Sequence, residues 1–130
     1  MDLMRIPLTI RSSTGAHKFN VQVAATQDQQ EKGLMFRQNM PADEGMIFPY
    51  SPAQEVAFWM KNTLIPLDII YIRENGTIAR IVTAQPLDLT PIPSGEPITN
   101  VLELNGGRAA ALGIREGDAV SWPPLPVARP

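Results

Sequence analysis

The sequence predicts a mainly β, single-domain protein, built as a compact β-barrel or a pair of rolled sheets with two short helices. Three observations point to this class. Short runs alternate between apolar and polar residues, as in strands that bury one face. The chain contains 13 prolines and 9 glycines, a composition typical of many short elements joined by turns. Its 130 residues are enough for one domain with a core that needs no disulfide.

The N-terminal part predicts a hairpin followed by a short helix. Apolar residues occupy every second position of 6–10 and again of 19–23, with the turn residues Ser12–Gly15 between the two runs. This pattern is typical of two paired strands with one buried face. Thr26 and Gln29 have the spacing of a capping box, which begins a helix. Gly33 is positioned to end it.

The middle of the chain predicts short strands at 45–48 and 56–60 and a second hairpin over 67–82. Asn75-Gly76 is a strong hairpin signal. Counting back from a two-residue turn pairs Ile72 with Ala79 and Asp68 with Thr83. The run 67–72 is apolar on both faces, which indicates a strand inside its sheet.

The segment Gln85–Pro97 is rich in proline and predicts a long loop without regular structure. Loops of this length are often functional, so we expect this one to fold over a site. A strand at 98–104, a helix at 107–112 begun by Asn105 and ended by Gly113, and a last strand at 119–122 follow. We therefore expect one β-rich domain over 1–122 and a Pro-rich C-terminal tail over 123–130.

Composition excludes several classes of function. The absence of cysteine excludes thiol catalysis, zinc–thiolate sites and disulfides. The net charge of −2 offers no footprint for nucleic acid, and no apolar run is long enough to span a membrane. His17 is the only histidine, so neither a metal site nor a cofactor is predicted. No signal peptide is visible at the start of the chain.

The run Phe58–Ile70 is the strongest candidate site, because it sets Lys61, Asn62 and Thr63 between two apolar strands. Polar side chains this close to a core need partners. Lys61 could offer its charge to a ligand, and Asn62 and Thr63 could orient one through hydrogen bonds. The alternative is an ordinary turn, in which Asn62 and Thr63 bond their own backbone. Trp59 is either a stacking platform or a core residue.

Two carboxylates and one arginine complete the candidate set. Asp68 is expected near the three polar residues, where it would pair with Lys61, accept a proton, or cap a loop. Glu103 shares a strand face with Val101, so we expect it either to point inward, with a partner such as Arg37 or Lys61, or to face solvent. Such a charged cluster would shift pKa values, as functional sites and structural ion networks both do.

Several segments resemble the domain of unknown function 192 family. They are 33–37, 45–48 and 58–70, with 101–107 and 113–118 as closing motifs, so the resemblance runs from about 19 to 120. It implies a β-rich fold in an uncharacterised, mostly bacterial and archaeal family without an established activity. Family members are often exported or lipid-anchored and commonly begin with a signal segment. The resemblance therefore implies a periplasmic or exported protein.

Together these observations predict a binding module for a small polar or anionic ligand, such as a saccharide or a cell-envelope fragment. Its pocket would be formed by seven side chains: Arg37, Trp59, Lys61, Asn62, Thr63, Asp68 and Glu103. An alternative is a hydrolase or lyase in which Asp68 or Glu103 acts as base and Lys61 stabilises charge. Another alternative is a domain that docks a protein partner through the Pro-rich loop or an edge strand.

Overall fold

Most of the chain forms short strands in a computed structural model that describes residues 3–125. Within that range there are nine strands and two helices, in this order: β1 Arg5–Ser12, β2 Gly15–Val23, α1 Gln27–Lys32, β3 Glu44–Gln54, β4 Ala57–Phe58, β5 Leu67–Ile72, β6 Ile78–Ala84, β7 Ile92–Pro93, β8 Ile98–Asn105, α2 Arg108–Leu112 and β9 Ala119–Ser121. Neither helix of the described part is long and apolar enough to cross a membrane.

Seven strands form one curled sheet in the order β6-β5-β8-β3-β2-β1-β9, and β4 pairs with β7 in a separate ribbon. Neighbours in the sheet are antiparallel except β2 and β3, which run parallel. A bridge between Thr77 and Ala119 joins the two ends of the sheet at one point. The result is a half-barrel with two short helices, which confirms the predicted mainly β fold.

The sheet has a hydrophobic core on each face. The first core, which we call the barrel core, fills the concave side, where Leu102 and Leu104 of β8 meet residues of β1, β2, β5 and β9. The second core, the outer core, contains Val101 of β8 together with residues of β3, β5 and the segments after α1 and β4. Because side chains alternate along a strand, β8 contributes to both cores. Trp122 and Leu125 pack on the barrel core, and 126–130 of the predicted tail lie outside the described residues.

Helix α1 begins and ends as its sequence predicts. The Thr26 hydroxyl accepts the Gln29 backbone N–H at 3.1 Å, the Gln29 side chain accepts the Thr26 N–H, and Gly33 follows the last turn. The predicted start of α2 is wrong. Asn105 lies in β8 and donates its side-chain N–H to the Met40 carbonyl at 2.7 Å, so Gly107, in the left-handed region, precedes the helix instead.

The hairpin of β5 and β6 confirms the pairing of Asp68 with Thr83, but Ile72 pairs with Ile78 rather than Ala79. The shift arises because a bulge follows Tyr71 and the connection is longer than two residues, with the Arg73 N–H donating to the Thr77 carbonyl. The loop 85–97 also differs from expectation. It contains the short strand β7, whose backbone pairs with β4.

Gly45 of β3 lies so close to β8 that only glycine fits. A Cβ atom at this position would lie 2.4 Å from the backbone oxygen of Glu103 and 2.8 Å from the Leu104 side chain. A backbone oxygen inside a paired sheet has little room to move. The glycine therefore permits the close pairing of β3 with β8, the strand that carries Glu103.

We expect Gly45→Ala to lower the free energy of unfolding by about 1–3 kcal/mol, because the added methyl overpacks the contact between two central strands. Urea unfolding followed by tryptophan fluorescence measures this loss. An unchanged unfolding midpoint would show that β3 and β8 can separate without cost, contrary to the contact described above.

Candidate functional site

A cavity of about 280 Å³ opens between α1, the outer face of the sheet and the segment after β4. Thr63 and Glu103 line the cavity. Its walls also include four aromatic side chains: Phe48, Tyr50, Phe58 and Trp59. We call this space the Glu103 cavity. It contains residues from β3, β4 and β8, so the sheet register decides which side chains meet there.

Glu103 reaches the cavity because of its position in β8. Its cross-strand neighbours are Met46 on β3 and Ile69 on β5, both fully buried members of the outer core. The residue is 4% exposed. Among residues 3–125, no side chain or backbone group forms a hydrogen bond or an ion pair with the Glu103 carboxyl group. The carboxyl group instead opens to the cavity, and among the described residues the enclosed side-chain atoms without a partner are Gln22 Oε1 and Arg108 Nε.

Burial raises the pKa of Glu103 from its ordinary 4.5 to about 8. Desolvation penalises the charged form, and no neighbouring cation offsets that penalty. The carboxyl group is therefore mostly protonated at pH 7. In that state it can donate one hydrogen bond and accept others. Shifted carboxyl groups in cavities occur preferentially at functional sites.

Two tyrosines lie near this carboxyl group. Burial, and secondarily the charge of Glu103, raises the pKa of Tyr50 to about 12, and the same influences raise the pKa of Tyr71. The Tyr71 hydroxyl donates to the backbone carbonyl of Ile92. The Tyr50 hydroxyl has no hydrogen-bond partner within the described range, so it is available to a ligand.

The other inner polar groups of the cavity have already used their donors. The Thr63 hydroxyl donates to the backbone carbonyl of Lys61 at 3.1 Å. The Gln30 side-chain amide donates to the carbonyls of Ala24 and Pro49 at 3.1 and 2.9 Å. Each retains an oxygen that can accept a hydrogen bond.

The three polar residues after Met60 form a turn, as the alternative interpretation predicted. The Thr63 N–H donates to the Met60 carbonyl at 3.1 Å, and Asn62 has a φ of 54°. Lys61 is exposed, and its ammonium group lies 5.2 Å from the centre of the Trp59 ring. Lys61 and Asn62 line a second, outer cavity of about 690 Å³ that shares Trp59 with the Glu103 cavity.

Backbone strain is concentrated around this turn. Three non-glycine residues of the described chain have a positive φ: Phe36, Asn62 and Leu87. The Phe36 N–H donates to the Asn62 carbonyl at 2.9 Å, and the Leu87 N–H donates to the Thr63 carbonyl at 3.0 Å. Each such conformation costs about 1–3 kcal/mol and is typically found where surrounding structure enforces it, often at functional sites.

Asp68 lies on the other face of the sheet from Glu103, because its pairing partner on β8 is Leu104. It accepts hydrogen bonds from the Thr83 hydroxyl at 2.6 Å and from the backbone N–H groups of Gly107 and Ala109 at 2.9 Å. The expected pairing with Lys61 is therefore replaced by a cap on the start of α2. Both carboxylate oxygens are already occupied.

Arg37 also lies outside the Glu103 cavity. It lines a separate cavity with Gln22 and Lys32, where burial and the nearby Arg5 lower its pKa while Glu44 raises it. Of the seven predicted site residues, the structure brings Trp59, Thr63 and Glu103 together, and Lys61 and Asn62 lie in the adjoining outer cavity. The loop 85–97 contacts the backbone of 56–63, and among its described residues none lines the Glu103 cavity.

Sequence reasoning missed Phe48, Tyr50 and Phe58 as site residues. The predicted strand ended at Phe48, whereas β3 continues to Gln54. The alternation of Met46, Phe48 and Tyr50 was the available signal, since residues two apart in a strand share a face. Phe58 packs edge-on against Phe48, with ring centres 5.0 Å apart.

A model of the DUF192 family, described as "Uncharacterized ACR", matches residues 8–122. The chain belongs to the DUF192 family. This membership confirms the resemblance found in the sequence motifs. No curated protein is significantly similar in sequence to this DUF192 chain.

Two solved structures share the fold of this DUF192 protein. A protein of unknown function from Novosphingobium aromaticivorans DSM 12444 is 45% identical, with a TM-score of 0.90 over 92% of this chain and 86% of that chain. A protein from Sinorhizobium meliloti 1021, described as a "putative transcription regulator", is 36% identical, with a TM-score of 0.91 over 94% of this chain and 96% of that chain. Function must therefore be argued from the site.

We expect Asp68→Asn to lower the free energy of unfolding of this DUF192 domain by about 1–3 kcal/mol. An amide has one acceptor oxygen, so at least one of the three donors loses its partner. Asp88→Asn is the matched control, because Asp88 accepts one backbone N–H, from Thr90, in an exposed loop. Urea unfolding compares the two variants. Equal stability of Asp68→Asn and the wild type would remove Asp68 from its capping role.

We expect the free energy of unfolding of Glu103→Gln to increase relative to that of the wild type as pH rises. Between pH 4.5 and about 8 the folded protein holds a proton that the unfolded chain has released, so wild-type stability falls as pH rises, by on the order of 1 kcal/mol per pH unit. Glutamine does not titrate, and the difference levels off above pH 8.

Melting temperatures of both proteins from pH 5 to pH 9 test this expectation. Glu74→Gln, at the exposed turn between β5 and β6, is the control and should track the wild type at every pH. A difference between Glu103→Gln and the wild type that stays constant with pH would mean that the carboxyl group is not desolvated in solution.

Proposed function

We propose that this protein is a binding module for a small polar ligand, which enters the Glu103 cavity. The observation that carries the proposal is a carboxyl group that is 4% exposed, lines a cavity of about 280 Å³ and has no partner among the described residues. Burying such a group without a hydrogen bond costs free energy. A ligand that bonds to it would recover that cost.

The character of the walls supports a small ligand with one apolar face. Phe48 and Phe58 give the cavity an apolar side, and the Tyr50 hydroxyl and the Glu103 carboxyl group give it polar contacts. Binding sites typically combine an apolar lining with a few polar groups that fix orientation, in cavities of about 300–1,000 Å³. A volume near the lower limit favours a ligand about the size of a single sugar ring.

The hydrolase alternative has less support. It requires a base and a stabilising cation around one reacting atom. Asp68 is occupied on the other face of the sheet, and Lys61 lines the outer cavity instead of the Glu103 cavity. A different observation supports partner docking: the side chains of Phe36, Leu64 and Leu87 around the turn are exposed. That surface carries no unsatisfied buried group, so we favour the small ligand.

The two tryptophans allow a test with an internal control. Trp59 lines the cavity, and Trp122 packs against the barrel core. In ¹⁵N–¹H spectra recorded with monosaccharides, polyols, small amides, amines and organic anions, we expect a binding compound to shift the Trp59 indole N–H signal and leave that of Trp122 unchanged. Trp122→Phe assigns the two signals.

A cavity-blocking variant strengthens the test. Ala57 is exposed at the mouth of the Glu103 cavity, so Ala57→Trp should abolish the shift without loss of folding. Ala110→Trp, on an exposed position of α2, is the matched control and should retain it. Failure of every compound class to shift the Trp59 signal would contradict the proposal.

A further inference from the structure

The Glu103 cavity offers many hydrogen-bond acceptors and few donors. The donors of Thr63 and Gln30 are bonded to backbone carbonyls, which leaves their oxygen atoms as acceptors. The Glu103 carboxyl group adds two further acceptor oxygens when it ionises. The groups of the cavity that can donate as well as accept are the Tyr50 hydroxyl and the Glu103 carboxyl group while it is protonated. A ligand that fits this pattern carries several N–H or O–H donors.

The cavity also has a buried carboxyl group with no cation beside it. The titratable groups that face Glu103 are Tyr50 from β3 and Tyr71 from β5, with Glu31 and Lys32 of α1 at the exposed rim. Among the described residues, no lysine, arginine or histidine pairs with the Glu103 carboxyl group. Binding of a cation would stabilise the ionised form that burial disfavours.

Aromatic rings supply a second attraction for positive charge. A cation near the face of an aromatic ring is attracted by the ring quadrupole, and groups of such rings bind organic ammonium ions. The Glu103 cavity has Tyr50, Phe58 and Trp59 in its walls. The Lys61 ammonium group already lies 5.2 Å from the centre of the Trp59 ring, so Tyr50 and Phe58 are the rings of this set that remain for a ligand cation.

The outer cavity does not oppose the entry of a cation. Its charged residues are Asp28, Glu31, Lys32 and Lys61, two acidic and two basic. The outer cavity, which shares lining residues with the Glu103 cavity, therefore has no net charge that would repel a positively charged ligand. The charge of ionised Glu103 disfavours an anion in the Glu103 cavity.

We propose that the ligand of the Glu103 cavity is a small organic cation, a primary ammonium or guanidinium group on a compact apolar body, whose N–H donors bond to Glu103. This inference rests on the proposed function and refines its ligand class. Binding couples to proton release, because the carboxyl group that is mostly protonated in the free protein ionises when the cation binds. The apolar body packs against Phe48 and Phe58.

Probes that share one skeleton but differ in charge test the inference. Benzylamine, benzyl alcohol and benzoate form one series, and isobutylamine, isobutanol and isobutyrate form a smaller one. Isothermal titration calorimetry at pH 6, 7 and 8, in buffers of different ionisation enthalpy, measures both affinity and proton release. We expect the amines to bind most tightly. Their affinity should rise about tenfold from pH 6 to pH 7, because the ionised fraction of Glu103 increases with pH.

Glu103→Gln should weaken amine binding at least tenfold at pH 8 and abolish both its pH dependence and its proton release. Glu74→Gln, distant from the three cavities, should bind the amines as the wild type does. Circular dichroism and the melting temperature of Glu103→Gln verify its fold, so loss of binding cannot be attributed to unfolding.

The outcomes separate this inference from the proposed function. Alcohols that bind as tightly as the amines, or amine affinity that does not change with pH, would overturn the cation inference and leave a polar-ligand site. Tight binding of the carboxylates would overturn it as well. If no compound of either series or of the sugar and polyol panel binds, both the inference and the proposed function fail.

Discussion

The register of β8 between β3 and β5 is the constraint on which the rest of the structure depends. Met46 and Ile69 flank Glu103, while Leu104 pairs with Asp68. Because side chains alternate between the faces of a sheet, this register sends the two carboxylates to opposite sides. A shift of one residue would move Glu103 into the barrel core. Gly45, whose position admits no Cβ atom, permits the close contact that holds this register.

The two buried acidic side chains of the sheet, Asp68 and Glu103, differ in their hydrogen bonding. Asp68 accepts three hydrogen bonds, two of them from backbone N–H groups at the start of α2. It therefore organises the end of β8 and the helix that follows. Glu103 lies between two apolar neighbours in the sheet and lines an open cavity, without a hydrogen-bond partner among the described residues. A group that serves architecture is satisfied within the protein, and the unsatisfied one is where an external partner can contribute most.

Local patterns allowed much of the fold to be predicted. The capping box of Thr26 and Gln29, and the pairing of Asp68 with Thr83, follow from residues close together in sequence. The bulge after Tyr71 was missed because turn length cannot be read from Asn75-Gly76 alone.

The site was predicted less completely than the fold, because local patterns do not show which distant strands become neighbours. Its composition depends on β8 lying between β3 and β5, which are far apart in sequence, and such pairings leave no short-range signal. The alternation of Val101 and Glu103 indicated one shared face but not which residues would oppose it. Arg37 was expected beside Glu103 only because both stand next to apolar runs.

The residues with a positive φ lie in or next to the turn at the edge of the Glu103 cavity. Phe36 and Leu87 each donate a backbone hydrogen bond to the turn that holds Asn62 and Thr63. These bonds hold the turn, in which Thr63 lines the Glu103 cavity and Asn62 lines the outer cavity. Both this strain and the unpaired carboxyl group reduce the stability of the free protein. Thr63 of this turn lines the Glu103 cavity, so the strained backbone adjoins the wall of the cavity that contains the unpaired carboxyl group, and both features support the proposed ligand site.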